Sequence, residues 1–354
     1  MKILYLNHVS WDWIFQRPQI FALYLQQDFF CSIVNKFYLL SKNKAKNIRP
    51  KNEIRVPQLP KENSFKIVKL INSLIYSFII KKNVKKYDVI WICHPSLYKF
   101  IPTSYKGMII YDCMDNHVAM SVVDKVEIQY YEDLLMNKAS TIFVSSEKLL
   151  DIHKKYSSKI TLVRNGFVSS YATQGIKTVK YKEQYKIGYF GTISSWFDFN
   201  LLNVCAKANT NVKFFIIGPI DSAMELPMLS HNIEFLGIVE HSELSKTIMD
   251  YDALIMPFKL NDIILSVDPV KLYEYLSFGK CIISVKYPEI ERFEPFVYFY
   301  KNGEDLIKII GELSHNGFKP KYNETQRQEF LLQNTWDCRY NIIKLVLNEI
   351  SQIK

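Results

Sequence analysis

The chain has 354 residues, of which 48% are hydrophobic, and a formal net charge of +10. That length exceeds one ordinary core and fits two domains of usual size, while no apolar run reaches the roughly 18–20 residues of a membrane span. The lysine-rich excess points to anionic partners, but no RNA-binding signature accompanies it, which disfavours nucleic acid, and six scattered cysteines without a Cys-x-x-Cys disfavour disulfides or a zinc cluster.

The N-terminus enters a strand pattern at once, Lys2-Ile-Leu-Tyr-Leu6, with no signal-peptide layout, so a cytoplasmic protein is expected. Strand-like runs then recur at Ile3–Asn7, Asp88–Cys93, Gly107–Tyr111, Ser140–Val144 and Thr161–Val163. Helical patterns lie among them, around Pro18–Gln27, Lys125–Asn137 and Lys148–Lys155. Such alternation predicts parallel strands joined by crossover helices. The segment from Phe65 to Lys82, followed by Lys85 and Lys86, carries an apolar stripe and a lysine end. It fits either a core-packed helix or one lying on an anionic membrane, at the inner face of the cell membrane.

A polar, poorly patterned stretch from Ser169 to Tyr185 reads as a linker. Strands follow at Lys186–Phe190, Val212–Ile217, Ile233–Leu236, Ala253–Pro257 and Cys281–Val285, and a helical tail carrying Trp336 runs from Glu324. The expected organisation is an α/β chain with a first domain over 1–168, a linker over 169–185, a second domain over 186–323 and a helical segment over 324–354.

In open α/β sheets the ligand lies beyond the carboxyl ends of the strands. There, Asp268 suits an N-cap, Pro269 a first helical position, and Gly279 a stop. Lys271 sits in the first turn, where the helix dipole disfavours a cation unless an anion joins it. Lys271 and Glu274 share one face, and Leu272, Tyr275 and Leu276 the other. An isolated pair of this kind is most often a surface ion pair, and the alternative is a ligand-facing pair.

Read in order, Ile187-Gly-Tyr-Phe-Gly-Thr-Ile193, Phe214-Phe-Ile-Ile-Gly-Pro219, Phe235-Leu-Gly237, Ala253-Leu-Ile-Met-Pro-Phe258 and Pro269-Val-Lys-Leu-Tyr-Glu-Tyr-Leu-Ser-Phe-Gly-Lys280 resemble the donor domain of retaining GT-B glycosyltransferases. Arg164-Asn-Gly166 and Thr335-Trp-Asp-Cys-Arg339 extend the resemblance. Trp11-Asp-Trp-Ile-Phe-Gln-Arg-Pro-Gln19 and Tyr111-Asp-Cys-Met-Asp115 look like a bacterial subgroup that builds capsule, exopolysaccharide or teichuronic-type polymers.

The resemblance implies two doubly wound Rossmann-like domains facing a central cleft, with the C-terminal helix returning to the first. It implies transfer of a sugar, with retention, from a nucleoside-diphosphate sugar of UDP or GDP type to a glycan or lipid-linked saccharide in bacterial surface polysaccharide synthesis. By the same resemblance Glu274 holds the donor ribose and Lys271 faces the diphosphate. Backbone amides at Gly191, Thr192 and Val270 cradle that diphosphate, and the backbone around Val239 reads the base. No cofactor or metal is then required, and no Asp-x-Asp triplet stands in a suitable loop.

Two positions depart from the pattern. Many relatives carry a second glutamate where this chain has Ser266, so either Ser266 or Asp268 is left to touch the sugar, with the cap the preferred role for Asp268. Relatives often have histidine where this chain has Met114, which cannot move a proton. Asp115 is therefore expected to be the principal catalytic group, with His117 in reserve and Arg17 on a phosphate. Trp11 and Trp13 suit a sugar-stacking wall, and Trp196 and Asp198 the sugar pocket. Two alternatives are a catalytically silent GT-B scaffold that binds a partner transferase or a membrane, and a sugar-nucleotide epimerase.

Overall fold

The computed structural model describes residues 1–11, 15–38, 48–62, 64–121, 123–168, 175–176, 181–221, 224–239 and 241–352. Trp13 and most of the expected linker lie outside them. The described chain forms two compact units, Met1–Arg164 with Arg339–Lys354, and Asn165–Cys338.

The first unit is built on seven parallel strands: β1 (Lys2–Leu6), β2 (Phe30–Tyr38), β3 (Glu53–Gln58), β4 (Val89–Ile92), β5 (Met108–Cys113), β6 (Thr141–Val144) and β7 (Ile160–Leu162). Their order is β3-β2-β1-β4-β5-β6-β7. The chain winds outward from β1 in one direction and from β4 in the other, so the winding reverses between β1 and β4. The sequence reading lacks β2 and β3. In β2 the apolar run is broken by Asn35 and Lys36, and β3 contains Pro57, which an edge strand tolerates because one side of its ladder is unpaired.

The second unit has β8 (Tyr185–Phe190), β9 (Val212–Ile217), β10 (Ile233–Gly237), β11 (Ala253–Met256), β12 (Cys281–Val285) and β13 (Tyr298–Tyr300) in the order β10-β9-β8-β11-β12-β13, again parallel. Its reversal lies between β8 and β11. The three-residue β13 carries too short a pattern to be read from sequence. In both units the central strands are buried along almost their whole length, as in Ala253–Met256 and Val89–Ile92, because helices cover both faces of such sheets.

The expected C-terminal segment divides differently. The helix Glu324–Leu332 belongs to the second unit, where buried Arg327 donates from Nη1 to the carbonyls of Leu276 and Ser277 at 3.3 and 2.8 Å. The final helix, Trp336–Gln352, begins in the second unit, and its residues from Arg339 belong to the first. Tyr340 there stacks on Tyr24 at 5.0 Å, and Tyr340 and Lys344 both donate to Asp28.

The basic segment is a helix, Lys66–Asn83, that buries Asn72, Tyr76 and Ile80 and packs Ile75 and Ile79 against the same core. Ile67, Leu70, Leu74 and Phe78 stay 59–69% exposed. Among the described residues no helix is long and apolar enough to cross a membrane.

Candidate functional site

At the reversal of the second sheet, β8 ends on Gly191 and the connection after β11 enters the helix Val270–Ser277. Gly191 has φ +142°, a conformation that L side chains rarely adopt. A Cβ there would meet Lys271 Cε at 1.9 Å and Nζ at 2.5 Å, so the lysine lies directly across the glycine. Gly218 at the end of β9 packs as tightly, since its Cβ would meet the Gly191 carbonyl oxygen at 2.0 Å. Thr192 follows Gly191, and its carbonyl accepts from the Tyr189 hydroxyl at 2.8 Å.

The surface ion pair that the spacing suggested does not form. Among the described residues neither Lys271 Nζ nor the Glu274 carboxylate has a hydrogen-bond or ion-pair partner. Burial lowers the Lys271 pKa and raises that of Glu274, and each moderates the shift of the other. Two opposite charges are thus held half-buried on one helix face without closing on each other, an arrangement suited to polar groups of a ligand.

Asp268 is not the expected cap. The N-cap is Pro269, with no side-chain cap bond, and Val270 is the first helical residue. The buried Asp268 carboxylate instead accepts from the Asn165 backbone N–H at 2.7 Å and from the Tyr273 hydroxyl, and it is ion-paired with Arg292. Asn165 Nδ2 also donates to the Asp268 carbonyl at 2.7 Å, so the Arg164-Asn-Gly motif fixes the connection leading into the helix. Ser266 is buried, and its hydroxyl donates to the Asp262 carbonyl at 2.7 Å. Val239 is half-buried against the second core. Asp198 caps the helix Phe199–Ala208 by accepting from the Leu201 N–H, and Trp196 packs on the core.

In the first unit Arg17 does not reach outward to a phosphate. It is 4% exposed and grips Asp112 with Nη2 at 2.7 Å and Nε at 3.1 Å, while Nη1 donates to the Val163 carbonyl at 2.6 Å. From the start of the helix Arg17–Asp28 it thus holds Asp112 in β5. Trp11 is fully buried, with its indole N–H on the Ile48 carbonyl at 2.8 Å, so it is core and not a sugar-stacking wall.

Asp115 is half-buried just past β5, and burial pushes its carboxyl up to about 7 against the pull of Arg17. His117 is buried rather than exposed in a loop; burial and the neighbouring His94 and His8 hold its pKa well below the usual value. These two histidines, which were not singled out in the sequence, complete a cluster: ring centres lie 4.5 Å apart for His94 and His117 and 5.2 Å for His8 and His94. Their signal was positional, one histidine shortly after each of three adjacent strands.

Among the described residues one further group brings potential metal ligands within 4.8 Å, Cys113, Glu132 and His153. Glu132 accepts from the Tyr111 hydroxyl at 2.8 Å, and burial pushes it up to about 7. The group therefore reads as a buried hydrogen-bonded network built on Tyr111 and Glu132.

No family model matches the chain. It is 25% identical over 264 residues to a Bacillus subtilis (strain 168) protein named "Putative teichuronic acid biosynthesis glycosyltransferase TuaH", a match covering 66% of this chain and 65% of that protein. The chain thus spans about two thirds, and slightly less, of that relative's length. Among solved structures it is similar to the lipopolysaccharide outer core galactosyltransferase WaaB in its apo form, at 12% identity and a TM-score of 0.65 over 99% of both chains. It is also similar to an E. coli protein described as "Trehalose-6-phosphate from E. coli bound with UDP-2-fluoro glucose", at 8% identity and a TM-score of 0.63 over 97% of this chain and 98% of that one. With two doubly wound parallel sheets in sequence and these likenesses across almost its whole length, the chain has the GT-B glycosyltransferase fold.

Proposed function

We propose that the protein transfers a sugar, with retention, from a nucleoside-diphosphate sugar of UDP or GDP type to a glycan or lipid-linked saccharide in bacterial surface polysaccharide synthesis. The observation that carries this reading is Lys271 laid across Gly191, with Glu274 on the same helix face and neither side chain satisfied among the described residues. The name of the teichuronic acid relative agrees with it.

In this reading the diphosphate lies against Lys271 and the backbone amides of Gly191, Thr192 and Val270. The lysine charge and the positive end of the helix stabilise the leaving diphosphate as charge develops on it, so no metal is needed. The Glu274 carboxylate accepts hydrogen bonds from two neighbouring ribose hydroxyls, and the backbone near Val239 contacts the base. Ser266 and Asp268 act at one remove: their side chains are engaged with protein partners and shape the helix that carries Lys271. Asp115, with a pKa near neutrality, exchanges a proton with the acceptor hydroxyl, and His117 beside it contributes a neutral imidazole.

The exposed apolar row Ile67, Leu70, Ile71, Leu74 and Phe78, with exposed Lys81, Lys82, Lys85 and Lys86 beyond it, supports peripheral binding to an anionic membrane. Such binding would bring the enzyme to a lipid-linked acceptor.

A thermal-shift series with UDP, GDP, CDP and dTDP tests the central assignment. One of them, at a hundred times its dissociation constant, should stabilise the protein by about 2.7 kcal/mol, and Glu274→Ala should abolish most of that gain. A flat response to all four would remove the transferase reading.

A further inference from the structure

The first unit holds a second set of polar groups with bonding capacity left over among the described residues, at its own sheet reversal. Leu6 of β1 pairs with Val34 of β2 and with Ile92 of β4. Two residues further along each chain stand His8, Lys36 and His94, so the strand period of two sets all three at one level on one face. His117, four residues beyond β5, closes the row.

Each group has bonding capacity left over. His94 Nδ1 accepts from the Ser96 backbone N–H at 3.2 Å, which puts the proton of the neutral ring on Nε2 as a donor. In His117 the backbone of Cys93 holds one ring nitrogen, and among the described residues Nε2 is buried without a partner, as is Nδ1 of His8. Lys36 is half-buried above the Tyr76 ring, 5.4 Å from its centre, and forms no ion pair among the described residues. The carboxylate acting on it, Glu62, already accepts from Asn72 Nδ2 at 2.9 Å, and the lysine acting on it, Lys99, is paired with Glu127 at 3.0 Å.

From this we infer that Lys36, His8, His94 and His117 form a recognition site for an anionic saccharide, the carboxylate or phosphate on Lys36 and the His94 Nε2–H, and an adjacent hydroxyl on the His117 Nε2. A bare cation is disfavoured by Lys36, and a neutral sugar leaves the lysine charge unanswered. Both the level of these groups and the reversal between β1 and β4 match the place where open α/β sheets take ligands. This deepens the transferase reading by giving its acceptor a negative charge, and it rests on that reading only in naming the ligand an acceptor.

The test is titration of the full chain, with 13C-labelled histidine, against D-glucuronate, inorganic phosphate and D-glucose, following the imidazole Cε1–H signals. D-glucuronate should shift the signals of His8, His94 and His117 saturably, and Lys36→Gln should weaken its binding at least about tenfold, a loss of one ion pair's worth of affinity. Saturable shifts with phosphate as well would place the specificity in the charge, and shifts with D-glucuronate alone would place it in the carboxylate; either supports the site. Equal shifts with D-glucose, or none with either anion, would overturn it. The UDP and GDP thermal shifts of Lys36→Gln serve as the independent readout. If nucleotide still stabilises and no anion binds, this site falls and the transferase reading stands; if anions bind and no nucleotide does, the reverse holds. His94→Gln, which keeps a polar side chain, repeats the measurement should Lys36→Gln fold poorly.

Discussion

Two carboxylates three positions apart, Asp112 and Asp115 near the end of β5, behave differently because only the first is gripped by Arg17. Arg17 closes on Asp112 through two nitrogens inside the protein, so Arg17→Met should strand a buried charge and lower the stability of the first unit by about 3–5 kcal/mol. Nucleotide binding in the second unit should be unchanged; calorimetry with and without nucleotide reads both. Among the described residues Asp115 has no such grip, and burial pushes it up to about 7. Between roughly pH 4 and 7 the native state therefore holds a proton that the unfolded chain has released, a stabilisation present at low pH and lost as pH rises through 7. Asp115→Asn should accordingly be more stable than the parent at pH 8 and no more stable at pH 4. In the proposed reaction the same substitution should remove an inflection near pH 7 from the profile of kcat/KM. The sequence placed Asp115 and His117 just past β5, where the structure has them, but it assigned Arg17 to a phosphate because a partner 95 residues away leaves no local trace.

Helices divide by what their exposed faces lack. The helix Val270–Ser277 was legible from its Pro, its Gly279 with φ +64° and its apolar face, all local signals. Its cap was not, because Asp268 is held by Asn165 and Arg292, which lie far off in sequence. Lys66–Asn83 was legible as a helix, but the choice between core and membrane turned on burial. The structure leaves Leu70 and Leu74 at 59% and 62% exposed, so they contribute little to the fold. The double substitution Leu70→Glu, Leu74→Glu should reduce sedimentation with anionic vesicles several-fold while leaving the unfolding free energy within about 0.5 kcal/mol of the parent per site. Unchanged vesicle binding would detach this helix from any membrane role.

At the scale of the whole molecule, the doubly wound class was readable because central parallel strands such as Val89–Ile92 and Ala253–Met256 are continuous apolar runs. The edges were not, where β3 carries a proline and β13 only three residues. Burial also sets the response of the protein to acid. His8, His94 and His153 are held near 3, 4 and 4, and His117 below its usual value, so all four resist a proton that the unfolded chain takes up below about pH 6.5. Their contribution is present above that pH and lost as pH falls; Asp115 and Glu132, both near 7, work in the opposite direction. Four groups against two predict that stability of the first unit declines from pH 6.5 to 4.5, and that His94→Gln makes the decline shallower in a pH series of denaturant melts.

The central claim is that the second unit binds a nucleoside diphosphate through Lys271 and Glu274. Isothermal titration of the intact protein with UDP and GDP, beside Glu274→Ala and Lys271→Ala, tests it most directly. The account predicts saturable one-to-one binding of one nucleotide, weakened at least about tenfold by either substitution, which corresponds to about 1.4 kcal/mol. Binding that survives both substitutions unchanged, or no binding of either nucleotide by the parent protein, would contradict it.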